Sequence, residues 1–312
     1  MIATSFIFTC HVLQFYKNEL AWWFNVGVQI FFVVSGFLYA NKQIDDPISF
    51  FISQAKKILI PYYVFVVLAM FAYGLFARDE LTVMGVIRLL SCSGTLNGVQ
   101  HLWFIPYILF CYFVTPYLCS IKNHLKHSTT VILVLFGLCV FSVTYWFLFN
   151  SFFRADRIIC FIVGYFIGYI GKEKRTYKNI IFVASIIAVP MNLLRIAVNY
   201  IYKITFSGMD ATVWNFFVYY AHAALGILLF LIMYLLFGDL KGSTLLDISD
   251  SYSYYVYLTH HIIILGPFSL LSLVPINGLN IVLVLVCTGL LTFGVKRISN
   301  HIKRLTILNY SK

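Results

Sequence analysis

The chain of 312 residues is 61% hydrophobic and only 11% charged, with a net charge of +11. A soluble domain is about one quarter charged, so a water-soluble core does not absorb this much apolar surface and an ordinary soluble enzyme is excluded. The basic residues flank apolar runs, which reads as membrane topology and not as a nucleic-acid interface.

In chain order, apolar runs between charged or turn-rich breaks predict an all-α polytopic membrane protein with about ten transmembrane helices. They fall near residues 1–16, 24–41, 58–77, 101–121, 130–149, 157–171, 179–199, 213–238, 249–273 and 278–297. The first run is slightly short of the ~20 residues a full span needs. It has neither the charged start nor the small-residue cleavage site of a signal peptide. Segment 43–57, "QIDDPISFFISQAKK", is too polar to span and predicts an interfacial amphipathic helix. No polar stretch is long enough for a soluble domain, so a single domain over 1–312 is expected. With both termini placed in the cytoplasm, fifteen of the 22 Lys and Arg fall in inside loops and the tail and seven outside. That bias predicts a cell-membrane protein of this orientation.

Polar groups at membrane depth are costly and draw attention in the same order. His11 lies about 16 Å along the first helix at ~1.5 Å per residue. A neutral imidazole there suits general-base work near pH 7, or it packs against another helix. Gln29 and Gly36 are seven apart in "GVQIFFVVSGFLYA" and are expected on one side of the second helix, beside Ser35. Gly36 admits close approach of a helix or a ligand. Lys56 and Lys57 precede "ILIPYY"; they suit phosphates, topology anchoring or anionic lipid. In "HLWFIPY", Trp103 and Tyr107 read as an aromatic belt, or His101 beside Trp103 lines a sugar-stacking site. His260 and His261 are adjacent, about 100° apart on a helix, so one of the two is expected to face the interior. A metal site would favour i, i+4 spacing and a carboxylate, and is not expected. Asp156 is expected to pair with a neighbouring Arg in "RADR". The seven cysteines form no C-x-x-C pair and read as small buried hydrophobes.

Four stretches, in order, resemble the membrane-bound acyltransferase 3 family. They are His11 in the first helix, "GVQIFFVVSGFLYA", "FFISQAKKILIPYYVF" and "HLWFIPYILFCYFVTPYL". "RIICFIVGYFIGYIGKE" and "ISDSYSYYVYLTHH" are weaker echoes. The resemblance implies an integral-membrane O-acyltransferase that moves an acyl group, usually acetyl, from cytoplasmic acyl-CoA. The acceptor would be a hydroxyl of a sugar, polysaccharide or lipid-linked glycan. It implies His11 as the catalytic base. Ser35, Gly36, Lys56, Lys57, His101, Trp103 and His260 are the expected substrate-binding residues. The partners expected are acyl-CoA, the glycan acceptor and membrane lipids, with no metal and no nucleic acid. The family's basic residue eleven positions before this His would fall just before Met1, so a short N-terminus is expected. Position 29, often Asp in the family, is Gln29. The alternative is a glycan or lipid transporter or flippase, against which the chain offers no internal repeat and no matched broken helices.

Overall fold

The computed structural model describes residues 1–93, 96–124, 127–149, 153–170, 174–238 and 243–310. Lys126, Lys172, Lys241 and Lys312, used in the topology count, lie outside the described residues. Among those described, every regular element is helical: α1 (Ile2–Phe15), α2 (Ala21–Phe24), α3 (Val26–Tyr39), α4 (Pro47–Phe76), α5 (Val83–Leu90), α6 (Phe104–His124), α7 (His127–Phe149), α8 (Ala155–Ile170), α9 (Lys174–Ile196), α10 (Gly208–Phe237), α11 (Thr244–Ile264) and α12 (Asn277–Tyr310).

Six of the described helical stretches are long and apolar enough to cross a membrane: Ala21–Tyr39, Pro47–Phe76, Gln100–Ile121, Tyr177–Ile201, Gly208–Phe237 and Asn277–Leu305. This is a multi-pass membrane protein, with six helices meeting that standard where the sequence predicts ten. Length and register account for three of the other four runs. At 14 and 16 residues, α1 and α8 fall short of the ~20-residue requirement. The apolar run at 249–273 is divided, because α11 begins on the polar "TLLDISDSYS" and ends at Ile264, where Leu265 turns extended.

The interfacial helix expected over 43–57 is corrected. Residues 47–57 form the first turns of one continuous helix, α4, of 30 residues. Asp46 caps it by accepting from the amides of Ile48 at 2.9 Å and Ser49 at 3.3 Å. Pro47 fills the first helical position, where no amide is needed. Pro61 lies inside α4 without ending it. Lys56 and Lys57 are exposed on this helix while Gln54 is buried, and the apolar residues continue the span.

The chain forms two compact units. The first comprises Met1–Asn25, Asp46–Phe113 and Gly242–Lys312, and the second comprises Val26–Asp45 and Val114–Lys241. In the first, α11 packs on α1 and α12, and α12 packs on α4. Ile264, Leu271 and Val284 form a buried apolar cluster in it, with Phe8, Val12 and Phe15 of α1 laid against them. Hydroxyls then fix the helices. Thr259 and Thr292 join α11 to α12 at 2.7 Å, and the Tyr254 hydroxyl donates to the Ile58 carbonyl of α4 at 2.9 Å. Each such bond within a membrane bundle contributes about 0.6–2 kcal/mol. Asn280 satisfies the irregular chain after α11, donating to the carbonyls of Leu271 and Val274 at 2.8 Å each.

In the second unit, α3 and α8 approach through glycine. A Cβ at Gly36 would overlap the Phe161 carbonyl oxygen, and one at Gly164 would overlap the Val33 carbonyl oxygen. Lipid gives helices no hydrophobic reason to associate, so backbone-to-backbone contact over small residues supplies the attraction. Gln29 is buried with its Cβ against Gly226 of α10, so the two positions seven apart meet different helices. Asn192 of α9 donates to the Ala221 carbonyl of α10 at 2.9 Å. Arg195 is fully buried in α9 and donates to the His222 ring at 3.3 Å. Asp156 receives a two-pronged bond from Arg154, at 2.8 and 3.0 Å, as its sequence neighbours suggest.

Candidate functional site

Four histidines meet in the first unit. His11 lies near the end of α1, His260 and His261 lie on α11, and His101 lies on the short 3₁₀ turn Gln100–Trp103 before α6. The ring of His11 is 4.4 Å from that of His261 and 5.2 Å from that of His260, centroid to centroid. His101 stacks on His261 at 4.6 Å and stands 5.3 Å from His260. The expectation that one of the adjacent pair faces inward is therefore corrected: both reach the His11 ring. Side chains 100° apart can do so because α1 lies against α11 and His11 enters the angle between them.

A pair of glycines sets the position of the cluster. Gly98 and Gly266 have φ of +90° and +100°, which L side chains rarely adopt. A Cβ on Gly266 would lie 2.6 Å from the Gly98 Cα, so the two segments touch backbone to backbone. That contact brings the Gly98 carbonyl within 2.9 Å of His261 Nδ1. His101 Nε2 bonds the Leu258 carbonyl at 3.1 Å, while the Tyr257 hydroxyl donates to the His101 carbonyl at 2.5 Å. His260 Nδ1 bonds the Val256 carbonyl, one turn back, at 2.9 Å. His11 Nδ1 bonds the Gln14 side-chain oxygen at 3.0 Å.

These partners are all oxygen acceptors, so the named nitrogen is the donor in each ring. A neutral imidazole so held keeps its lone pair on the other nitrogen: Nε2 of His11, His260 and His261, and Nδ1 of His101. Two of these, His101 Nδ1 and His260 Nε2, are buried with no hydrogen-bond partner in the described structure. A buried acceptor left unmet is costly, and a substrate hydroxyl would satisfy it. The arrangement is a set of tethered neutral imidazoles able to accept protons or hydrogen bonds. Among the described residues no group of His, Cys, Asp or Glu converges to hold a metal ion.

The other expected residues sit as follows. Trp103 is next to the cluster in sequence, its ring 6.0 Å from Tyr107. Lys57 donates to Gln54 at 3.2 Å on α4, and Lys56 borders an apolar groove between α4 and α12. Ser35 and Gly36 belong to the second unit, where α8 fills the space beside Gly36. Two contributors were not singled out in the sequence. Gln14 carries a usable signal, a polar side chain one helical turn from His11. Gly98 carries none, because its role arises from contact with a glycine 168 positions away.

Comparison with curated proteins and with solved structures finds no match. The model of a family described as an acyltransferase domain matches residues 1–296, and the chain belongs to this family, acyltransferase 3.

Proposed function

We propose that this chain is an integral-membrane O-acyltransferase moving an acyl group, acetyl foremost, from acyl-CoA to a hydroxyl of a sugar, polysaccharide or lipid-linked glycan. Family membership and the apolar helices support a membrane acyltransferase. The single observation that carries the chemistry is the His11–Gln14 bond at 3.0 Å. It commits Nδ1 as donor and leaves Nε2 as the base.

In this reading His11 Nε2 takes the proton of the acceptor hydroxyl as its oxygen attacks the thioester carbonyl. The C–S bond then breaks, and the imidazolium returns the proton to the departing CoA sulfur. A positioned base of this kind contributes about 10²–10⁴-fold. His101 Nδ1 and His260 Nε2 would receive other hydroxyls of the acceptor, which favours a polyol over a simple alcohol. The reaction takes place in the cell membrane, with both chain termini and the donor on the cytoplasmic side. The expectation that Lys56 and Lys57 meet CoA phosphates belongs to the same proposal.

The test uses membranes bearing the full chain, acetyl-labelled acetyl-CoA and a glycan acceptor. Label enters the glycan with the native chain and falls by about 10²-fold or more with His11→Ala, while the variant still accumulates in membranes. Full transfer by an accumulated His11→Ala chain would overturn the mechanism. Acceptor movement without label would overturn the enzyme reading in favour of transport.

A further inference from the structure

The peptide unit that joins Asn97 to Gly98 is pinned at both ends. At one end the Tyr73 hydroxyl of α4 donates to the Asn97 carbonyl. At the other the Gly98 amide donates to the Gln100 side-chain oxygen at 2.9 Å. Tyr73 is fully buried, and its hydroxyl also stands against the next residue, since a Cβ on Gly98 would lie 3.1 Å from it. Its ring meets the facing segment, T-shaped on Phe268 at 5.1 Å between centroids, just past Gly266. One side chain of α4 thus touches both of the segments whose glycine contact sets the imidazole cluster.

Glycine at this place calls for such a clamp, because it has more backbone freedom to lose than any other residue. The Gly98 carbonyl is the partner of His261 Nδ1 at 2.9 Å, so its direction decides which nitrogen of that ring carries the hydrogen. His261 in turn stands edge-on to the His11 ring at 4.4 Å. A carbonyl free to swing would release His261 to its other tautomer and shift the ring against which His11 rests. The path from Tyr73 to His11 is short: a hydroxyl, one peptide, one glycine carbonyl and one imidazole. Tyr62, on the same helix and equally buried, offers a matched comparison, because it donates to the Leu89 carbonyl, outside this path.

We propose that Tyr73 is a positioning residue for acyl transfer: through the Asn97–Gly98 peptide and the Gly98 carbonyl it fixes His261 in the Nδ1–H form, and so holds His11 where it takes the acceptor's proton. This role rests on the acyltransferase reading of His11, whereas the tether to His261 exists in the chain without substrate.

Transfer of labelled acetyl from acetyl-CoA to a glycan is followed in membranes bearing the full chain, per amount of chain accumulated. Tyr73→Phe keeps the ring on Phe268 and deletes only the hydroxyl. Its kcat is expected to fall about tenfold with KM nearly unchanged, since orientation is lost and ground-state binding is not. Tyr62→Phe, which deletes an equivalent bond outside the tether, is expected to keep the native kcat. Gln100→Leu frees the other end of the same peptide and should show a smaller fall of the same kind; it carries the kinetic test if Tyr73→Phe accumulates poorly. Separately, the tautomer of His261 is read by NMR of the ring nitrogens in the full chain carrying isotope-labelled histidine, its signals being those lost in His261→Phe. The native chain and Tyr62→Phe are expected to show the Nδ1–H form, and Tyr73→Phe a mixture. A native kcat in Tyr73→Phe and Gln100→Leu, an equal fall in Tyr73→Phe and Tyr62→Phe, a rise in KM alone, or an unchanged His261 tautomer in Tyr73→Phe would each overturn the proposal. Absence of transfer by the native chain would instead sink the acyltransferase reading, and the His261 signals would still decide the tether.

Discussion

The contact between α1 and α11 and the contact between α3 and α8 are both buried helix pairings, built from opposite materials. The first presents three imidazoles and is joined by His101, and two of the four rings have buried nitrogens that the described structure does not satisfy. The second presents Gly36, Gly164 and backbone carbonyls, with no room for one added carbon. Close glycine packing holds helices together in lipid, where apolar side chains alone give no preference. Unsatisfied imidazole nitrogens do the reverse: they cost stability unless a polar partner meets them. The α3–α8 pairing is packed tight over glycine, and the α1–α11 pairing leaves acceptors that the proposed substrate would meet.

The sharpest way to break this contrast is to exchange the two phenotypes. Gly164→Leu drives a side chain into the Val33 carbonyl, and neither backbone has space to yield. Overpacking of this kind costs about 3 kcal/mol or more, so the variant is expected to accumulate poorly and to melt well below the native chain in detergent. His11→Gln is expected to melt near the native temperature while losing at least ~10²-fold in transfer. A His11→Gln chain as unstable as Gly164→Leu would make the imidazole cluster a packing element and remove the contrast.

A smaller effect sharpens the roles inside the cluster. Gln14→Leu leaves His11 in place but removes the acceptor that fixes Nδ1–H. The ring then samples the wrong tautomer and orientation. A fall in kcat of roughly tenfold is expected with KM little changed, since ground-state binding is untouched. Gln14→Glu, which keeps an oxygen acceptor, should recover most of the loss. Equal kinetics for all three chains would show that Gln14 does not position His11. His260→Phe should do the opposite, raising KM several-fold while kcat holds, because it deletes an acceptor expected to meet the substrate. A drop in kcat at unchanged KM would move His260 from binding to the reacting atoms.

These residues differ in how far the sequence exposed them. His11 stands out because an imidazole in an apolar run is rare, and the ordered signatures resemble the family's without reference to the fold. The partnership of His11 with both His260 and His261 was hidden. A 100° separation looks like opposite faces until the inserting helix is known to occupy the angle between them. The polar residues of 43–57 suggested a separate interfacial helix, yet Asp46 and Pro47 start a helix that runs without a break to Phe76. Pro61 did not end it. Gly36 was visible as a place of close approach, but only the structure shows α8 occupying it.

The smallest expected effect touches neither imidazoles nor glycines and checks that the groove-bearing helix is built on ordinary capping. Asp46 sits just before α4, outside the span. The Ser49 hydroxyl, donating at 2.6 Å, is the main influence holding its carboxyl below the ordinary 3.8, followed by the amides of Ser49 and Ile48. A carboxyl held low adds stability above its unfolded value, and that stability is lost as pH falls through the lower folded value. Asp46→Ala is therefore expected to lower the melting temperature slightly at neutral pH. The gap from the native chain should close in acid, as the native carboxylate takes up its proton. Asp46→Asn keeps a capping oxygen and should sit between the two at neutral pH, with no gain or loss of its own as the pH changes. A gap between native and Asp46→Ala that stays constant through the acid range would mean the carboxylate's charge contributes nothing to the start of α4, and that Pro47 suffices to fix it.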